Sequence, residues 1–170
     1  MHHAFRHVII SSVVVCLALI GTARPQTADS GLSAKDSAAV RTVLERYRTT
    51  WLANDEDGVL STFARDAILM PAHGNPPVMG FAAIKEYWWA HTATKTTITK
   101  FVQNLDEVGG NERLAYARGT SDVEWRSEDK NGAQDWQNES SFLFLLEPDA
   151  GGTWHISHLM WDAGENKRLK

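Results

Sequence analysis

The chain has 170 residues with 17 basic and 21 acidic side chains, a formal charge of −4 and one cysteine. That balance excludes a nucleic-acid binder, since phosphate contact needs clustered positive charge. A lone cysteine excludes an internal disulfide, so stability must come from burial.

In chain order, the first element predicted is a secretory signal. His2, His3, Arg6 and His7 give a basic start, and Val8 to Ile20 is apolar apart from Ser11 and Ser12. Gly21 and Ala23 then supply small residues for cleavage after Ala23. The apolar run is shorter than the roughly 18 residues a spanning helix needs, so a membrane anchor is the weaker reading. Cys16 would leave with the signal; a lipoprotein is set aside because Val15 precedes it and Leu17 to Ile20 continues the apolar run. The expected layout is a signal over 1–23, a flexible lead-in over 24–33, one domain over 34–165 and a polar tail over 166–170. Removing 1–23 leaves 16 basic against 21 acidic residues in about 147, enough for one domain with one core. The protein is expected to be exported, periplasmic or extracellular, and free of the membrane after cleavage.

Ser33 is placed to cap a helix whose first turn carries Asp36, favourable at the positive end of the helix dipole. Val40, Val43, Leu44, Tyr47 and Trp51 recur at helical spacing and form its buried stripe, to about Asn54. Its last two members are aromatics with a polar handle, as on a pocket wall, although core packing is the commoner fate of such a stripe. Asp55 or Asp57 is expected to cap a short helix over Val59 to Phe63. Calcium is not expected there, because the spaced acidic loop with its distal glutamate is missing.

Asp66 to Met70 reads as a short strand stopped by Pro71, and Ala72 to Pro77 as a turn-rich loop carrying His73. A histidine beside a pocket mouth is a candidate acid or base. Gly80 opens a helix to about His91 that buries Phe81, Ile84 and Trp88, with Tyr87 as a further candidate for that side. Trp88 and Trp89 point about 100° apart, so they are not expected to face one cavity.

From Thr96 the period becomes alternating. Thr96 to Val108, Leu114 to Trp125, Trp136 to Glu147 and Thr153 to Asp162 form four strands with short turns, among them Asn131-Gly132. Helices first and strands afterward predict an α+β domain with helices packed on one face of a mostly antiparallel meander.

These residues resemble a known family. Glu45-Arg46-Tyr47, Asp55-Glu56-Asp57-Gly58, Phe63-Ala64-Arg65-Asp66-Ala67, the run Gly80 to Tyr87, Trp154-His155-Ile156 and Trp161 together look like the nuclear-transport-factor-two-like superfamily, in its SnoaL-like and ketosteroid-isomerase-like branch. The resemblance spans nearly all of the chain after the signal. It implies a cone-shaped fold in which a curved sheet wraps helices around an apolar pocket, and a homodimer formed through the outer sheet face. It matches Tyr47 to the tyrosine that donates to substrate oxygen in ketosteroid isomerases. Their aspartate base precedes a proline at the end of the first strand, where this chain has Met70. A thioether takes no proton at neutral pH, so a standard ketosteroid isomerase is not expected. Ser140 falls at the second oxyanion donor and Trp88 at a supporting helical tyrosine.

By the same resemblance the pocket is expected to be lined by Tyr47, Trp51, Met70, Trp88, Ser140, Phe142, Leu159 and Trp161. Such walls suit a small apolar or aromatic molecule carrying a few oxygens. No metal or other cofactor is expected: His155 and His158, three apart on a strand, should face opposite ways, and no phosphate loop, nucleophile elbow or redox pair is present. His158 and Asp162 share the face away from Trp161, where an interface role is expected. Asn138-Glu139-Ser140 fits a glycosylation sequon, a pattern frequent by chance. The expected function is binding of a small apolar molecule. Its rivals are a cyclase, isomerase or dehydratase using Tyr47 and His73, and a protein-interaction domain using the outer sheet face.

Overall fold

The computed structural model describes residues 31–90 and 93–170. The expected signal over 1–23, most of the lead-in and the helix end near His91 lie outside the described residues. Helix α1 runs Ala34–Leu52. The Ser33 hydroxyl accepts from the Asp36 N–H at 3.1 Å and donates to the Asp36 carboxylate at 2.6 Å. The other Asp36 oxygen accepts from the Trp154 indole at 3.3 Å, which ties the helix start to the sheet. Val40, Leu44 and Tyr47 are buried along the expected stripe, while Val43 and Trp51 are only half-buried.

Asn54 takes the left-handed conformation that ends many helices (φ 54°). Its amide donates to the Ile98 carbonyl at 3.1 Å and accepts from the Ile98 N–H at 2.8 Å. Both ends of α1 are therefore pinned to strands. Helix α2 is Glu56–Leu60, one turn earlier than expected, because Asp55 caps it through the Gly58 N–H at 2.9 Å. Strand β1 is Phe63–Met70, longer than the run beginning at Asp66; β2 is Val78–Met79 and α3 is Phe81–Trp89.

The strands β3 (Lys95–Gly110), β4 (Ala115–Asp129), β5 (Gly132–Pro148) and β6 (Trp154–Ala163) form the expected antiparallel meander. The full sheet has seven strands in the order β2-β1-β6-β5-β4-β3, and it is mixed because β1 pairs parallel with β6. β7 (Lys167–Arg168) continues the path of β6 along β5, at Trp136 and Gln137. The segment expected as a solvated tail is thus hydrogen-bonded to the sheet, although its basic side chains are exposed.

Bulges curve this sheet. The pairing of β3 with β4 shifts register near Thr99 and near Asp106, and that of β5 with β6 shifts at Leu145/Leu146. Each extra residue bends its strand and raises the local twist. Gly119 lies at one bend, where a Cβ would fall 1.8 Å from the Asn104 carbonyl oxygen, so no side chain is tolerated. The bulge in β6 also corrects the expectation for its histidines. His155 pairs with Glu147 and His158 with Leu145, so both lie on the outer face. Even so, no group of three metal-ligating side chains occurs among the described residues.

Candidate functional site

Cross-strand register sorts the inner face of the sheet into rows. Leu105, Gly119, Phe142 and Trp161 stand side by side on β3, β4, β5 and β6; Gln103, Ser121, Ser140 and Ala163 form the next row; Phe101, Val123 and Asn138 form a third. Directly opposed residues share a face of the pleat, so these rows project toward α1 and α3. Between the helices and the rows lies a cavity of about 340 Å³.

Tyr47, Trp51, Trp88, Ser140, Phe142, Leu159 and Trp161 all line it. Met70 does not. The parallel register sets Leu69 beside Leu159 and Met70 beside Met160, and Met160 is 41% exposed. The side chain before Pro71 therefore belongs to the outer face, and a sequence without the β1–β6 pairing carries no sign of it. Trp88 lines the cavity whereas Trp89 stacks on Trp51 from behind at 5.1 Å, as their angular separation predicts.

Tyr47 is a buried ring of the wall. Phe144, Phe63, Phe101 and Trp51 meet it edge to face at centroid distances of 5.4, 5.9, 5.9 and 6.2 Å. Burial pushes its phenol well above the ordinary tyrosine value, and the nearby Trp51 indole acts in the opposite sense without reversing it. The phenol is a neutral hydroxyl at any physiological pH. The Trp51 Nε1 is buried with no hydrogen-bond partner among the described residues. Trp51 also meets Trp88 edge to face at 5.2 Å, and Trp88 lies 6.5 Å from Trp161.

His73 stands exposed on the rim of the same cavity. Its backbone is left-handed (φ 63°), as is that of Gly74 (φ 71°), and this conformation is uncommon for a residue with a side chain. Asn75, Tyr87 and Asn166 complete the exposed rim.

Reading the sequence in single segments misses the polar part of the floor. The Ser121 and Ser140 hydroxyls bond each other at 2.7 Å. Asn138 donates its amide protons to the Gly164 carbonyl at 2.7 Å and to the Asn166 side chain at 2.9 Å, which holds the chain between β6 and β7 against the wall. Period-two alternation from Phe142 and Ser140 reaches Asn138, but Gln103 and Ser121 emerge only from the pairing of three strands. Among the described residues no Asp, Glu, Lys or Arg lines the cavity.

This arrangement is the cone-shaped α+β fold seen in ketosteroid isomerase-like and NTF2-like structures. It is similar to a ketosteroid isomerase-like protein from Erwinia carotovora atroseptica, at 21% identity and a TM-score of 0.65, over 78% of this chain and 99% of that one. A type 2 hexachlorocyclohexane dehydrochlorinase matches at 16% identity and a TM-score of 0.56, over 78% and 88% of the two chains. An NTF2-like protein of unknown function from Pseudomonas putida matches at 19% identity and a TM-score of 0.51, over 82% and 96%. No protein-family model and no curated protein matches the sequence.

Proposed function

We propose that this chain is an exported domain that binds a small, largely apolar molecule between α1, α3 and the inner face of the sheet. One observation carries the reading: a cavity of about 340 Å³ is walled by Trp51, Trp88, Phe142 and Trp161 and, among the described residues, is lined by no Asp, Glu, Lys or Arg. Its volume falls within the range of about 300–1,000 Å³ common for small-molecule sites. Apolar walls favour an occupant that leaves water on entry, and an ionised occupant would meet no counter-charge. The shared fold supports the binding class, as structures of this kind include a ketosteroid isomerase-like protein and a dehydrochlorinase. The proposal of export rests on the basic start, the apolar run and the small residues before Arg24. A homodimer through the outer sheet face accompanies the reading; Val102 and Met160, 40% and 41% exposed, are apolar side chains available there.

A second reading is an enzyme, a cyclase, isomerase or dehydratase. It is favoured by the position of two proton-carrying groups on one cavity: the neutral Tyr47 phenol in the wall and the His73 imidazole at the rim. Tyr47 would donate to an oxygen of the substrate and His73 would shuttle the proton. A third reading, a pure interaction domain, uses the outer face alone.

Native mass spectrometry of the protein purified from its own source tests the first reading and counts the subunits. The expected spectrum shows a chain beginning at Arg24 with a retained species of a few hundred daltons. A bare chain in every preparation, together with no quenching of tryptophan fluorescence by naphthalene, overturns it.

A further inference from the structure

The proposed binding function leaves open which side of the occupant is polar and whether that polarity carries charge. The cavity answers through an asymmetry between its two walls. Tyr47 apart, the helical wall offers tryptophan rings. The sheet wall offers a row of neutral hydrogen-bonding groups on neighbouring strands, Gln103, Ser121 and Ser140, with Asn138 one step further along β5. Neighbouring strands lie about 4.8 Å apart, so the three members of the row span about 10 Å.

Each group has capacity left over. A hydroxyl carries one proton and two lone pairs, so the Ser121–Ser140 pair uses one proton between its members and keeps the other free. Because either serine can be the donor, that proton can be offered from either strand. Asn138 has both amide protons engaged by Gly164 and Asn166, which leaves its oxygen as an acceptor. Gln103 makes no side-chain hydrogen bond among the described residues and lines the same floor. The row can therefore donate to a carbonyl and accept from a hydroxyl.

The nearby cations are committed elsewhere. Lys100 is on the outer face, bonded to Asp122 at 2.7 Å and Glu124 at 2.9 Å. Arg48 is held by Glu45 at 2.6 Å. The one imidazole among the described lining residues, His73, stands exposed at the rim, so a carboxylate against the sheet floor would lose its water without gaining a counter-ion, which disfavours it strongly.

The geometry points to the Gln103–Ser121–Ser140 row as the recognition edge of the cavity, and to an uncharged, mainly apolar occupant that turns a hydroxyl or carbonyl toward the sheet and its apolar face toward Trp51 and Trp88. This inference rests on the binding reading above and adds to it the side, the charge and the class of the polar group.

Three probes of one ring system test it: naphthalene, 2-naphthol and 2-naphthoate, titrated at pH 7 and followed by tryptophan fluorescence. The wild-type chain should prefer 2-naphthol to naphthalene by about 3- to 10-fold, the net worth of one hydrogen bond. It should bind 2-naphthoate at least about tenfold more weakly than 2-naphthol. In the double variant Ser121→Ala/Ser140→Ala, which removes both hydroxyls and strands neither, the preference for 2-naphthol should fall toward unity. Gln103→Leu provides the same comparison if the double variant does not unfold cooperatively. Equal or tighter binding of 2-naphthoate overturns the inference, as does a preference that survives in both variants. Naphthalene bound with no preference for the naphthol overturns the row's role and leaves the apolar-cavity reading standing. Quenching by none of the three removes both.

Discussion

The closed end of the cone and its open end are built from the same helix and the same strands, yet one is solid and the other hollow. At the closed end Val40, Leu44, Leu146 and Ile156 are wholly inaccessible and Phe144 nearly so. Toward the open end Trp51, Trp88 and Trp161 are only half-buried, although they are larger. Ring size does not decide which end is filled; the path of the strands does. The inner face of β4 begins with Ala115, Ala117 and Gly119, and the rings of Tyr47 and Phe144 close the space over these small residues. Beyond Gly119 the inner face of β4 carries Ser121, Val123 and Trp125, and these line the cavity floor without filling the space up to Trp51 and Trp88.

The largest expected effect breaks that contrast directly. Leu44→Ala should cost about 2–5 kcal/mol, because the closed end cannot collapse around the void. Trp161→Ala removes a bigger side chain but should cost only roughly 1–2 kcal/mol, since the cavity is already there and its wall already meets solvent. Urea denaturation of the two variants checks this. Equal losses would mean that the open end is as tightly packed as the closed one.

The closed end was far more legible in the sequence than the open one. The 3.6-residue stripe from Val40 to Trp51 and the Ser33 cap describe α1 almost to the residue, because those signals are local. Asn131-Gly132 marked the turn between β4 and β5, and alternation placed Ser140 and Phe142 on one face. What was not legible depends on contacts between distant segments. Met70 seemed to face the pocket because it precedes Pro71; the parallel pairing that turns it outward joins β1 to a strand some ninety residues later. His155 and His158 seemed opposed because strict alternation was assumed, and one bulge cancels that assumption. The polar row on the floor is a product of register among three strands, a property that no single stretch of sequence contains.

Tyr47 stands at the junction of the two ends, and its phenol sharpens where the boundary falls. Its folded-state pKa is raised by burial, while in the unfolded chain it titrates at its ordinary value of 10.0. Its neutral form therefore favours folding fully below pH 10, and stability is lost as the pH rises above that value, by about 1.4 kcal/mol per pH unit until the folded protein itself releases the proton. In Tyr47→Phe the alkaline decline should be shallower by that amount. Chemical denaturation at pH 8 and pH 11 measures the difference. Identical declines in the two proteins would place the hydroxyl in water, at the open end of the cavity.

The smallest effect comes from the back of the open wall, where the strands that carry neutral groups inward carry ions outward. Lys100 follows the first bulge of β3 and bonds both Asp122 and Glu124 on β4; Asp122 also accepts from Gln137 on β5 at 2.8 Å. Three strands are thereby clasped where no packed interior braces them. The hydrogen bond from Lys100, and after it that from Gln137, holds the Asp122 carboxyl below its ordinary value. A carboxyl lowered in the folded state contributes stability above its unfolded value of 3.8 and loses it as the pH falls from there through the folded value. Lys100→Met should remove most of this dependence while leaving the parts due to Asp36, Glu107 and Asp149, which are also held low by hydrogen bonds. Because Lys100, Asp122 and Glu124 are only half-buried, solvent and salt still screen them, and the loss of Tm at pH 7 should be roughly one to three degrees. Melting curves from pH 7 down to pH 3 give the comparison. If the clasp braces the hollow wall, the Tm of wild type and variant converges as the pH drops below 4; a gap that stays constant through that range would mean that lost packing of the lysine stem, and not its charge, was what the strands had relied on.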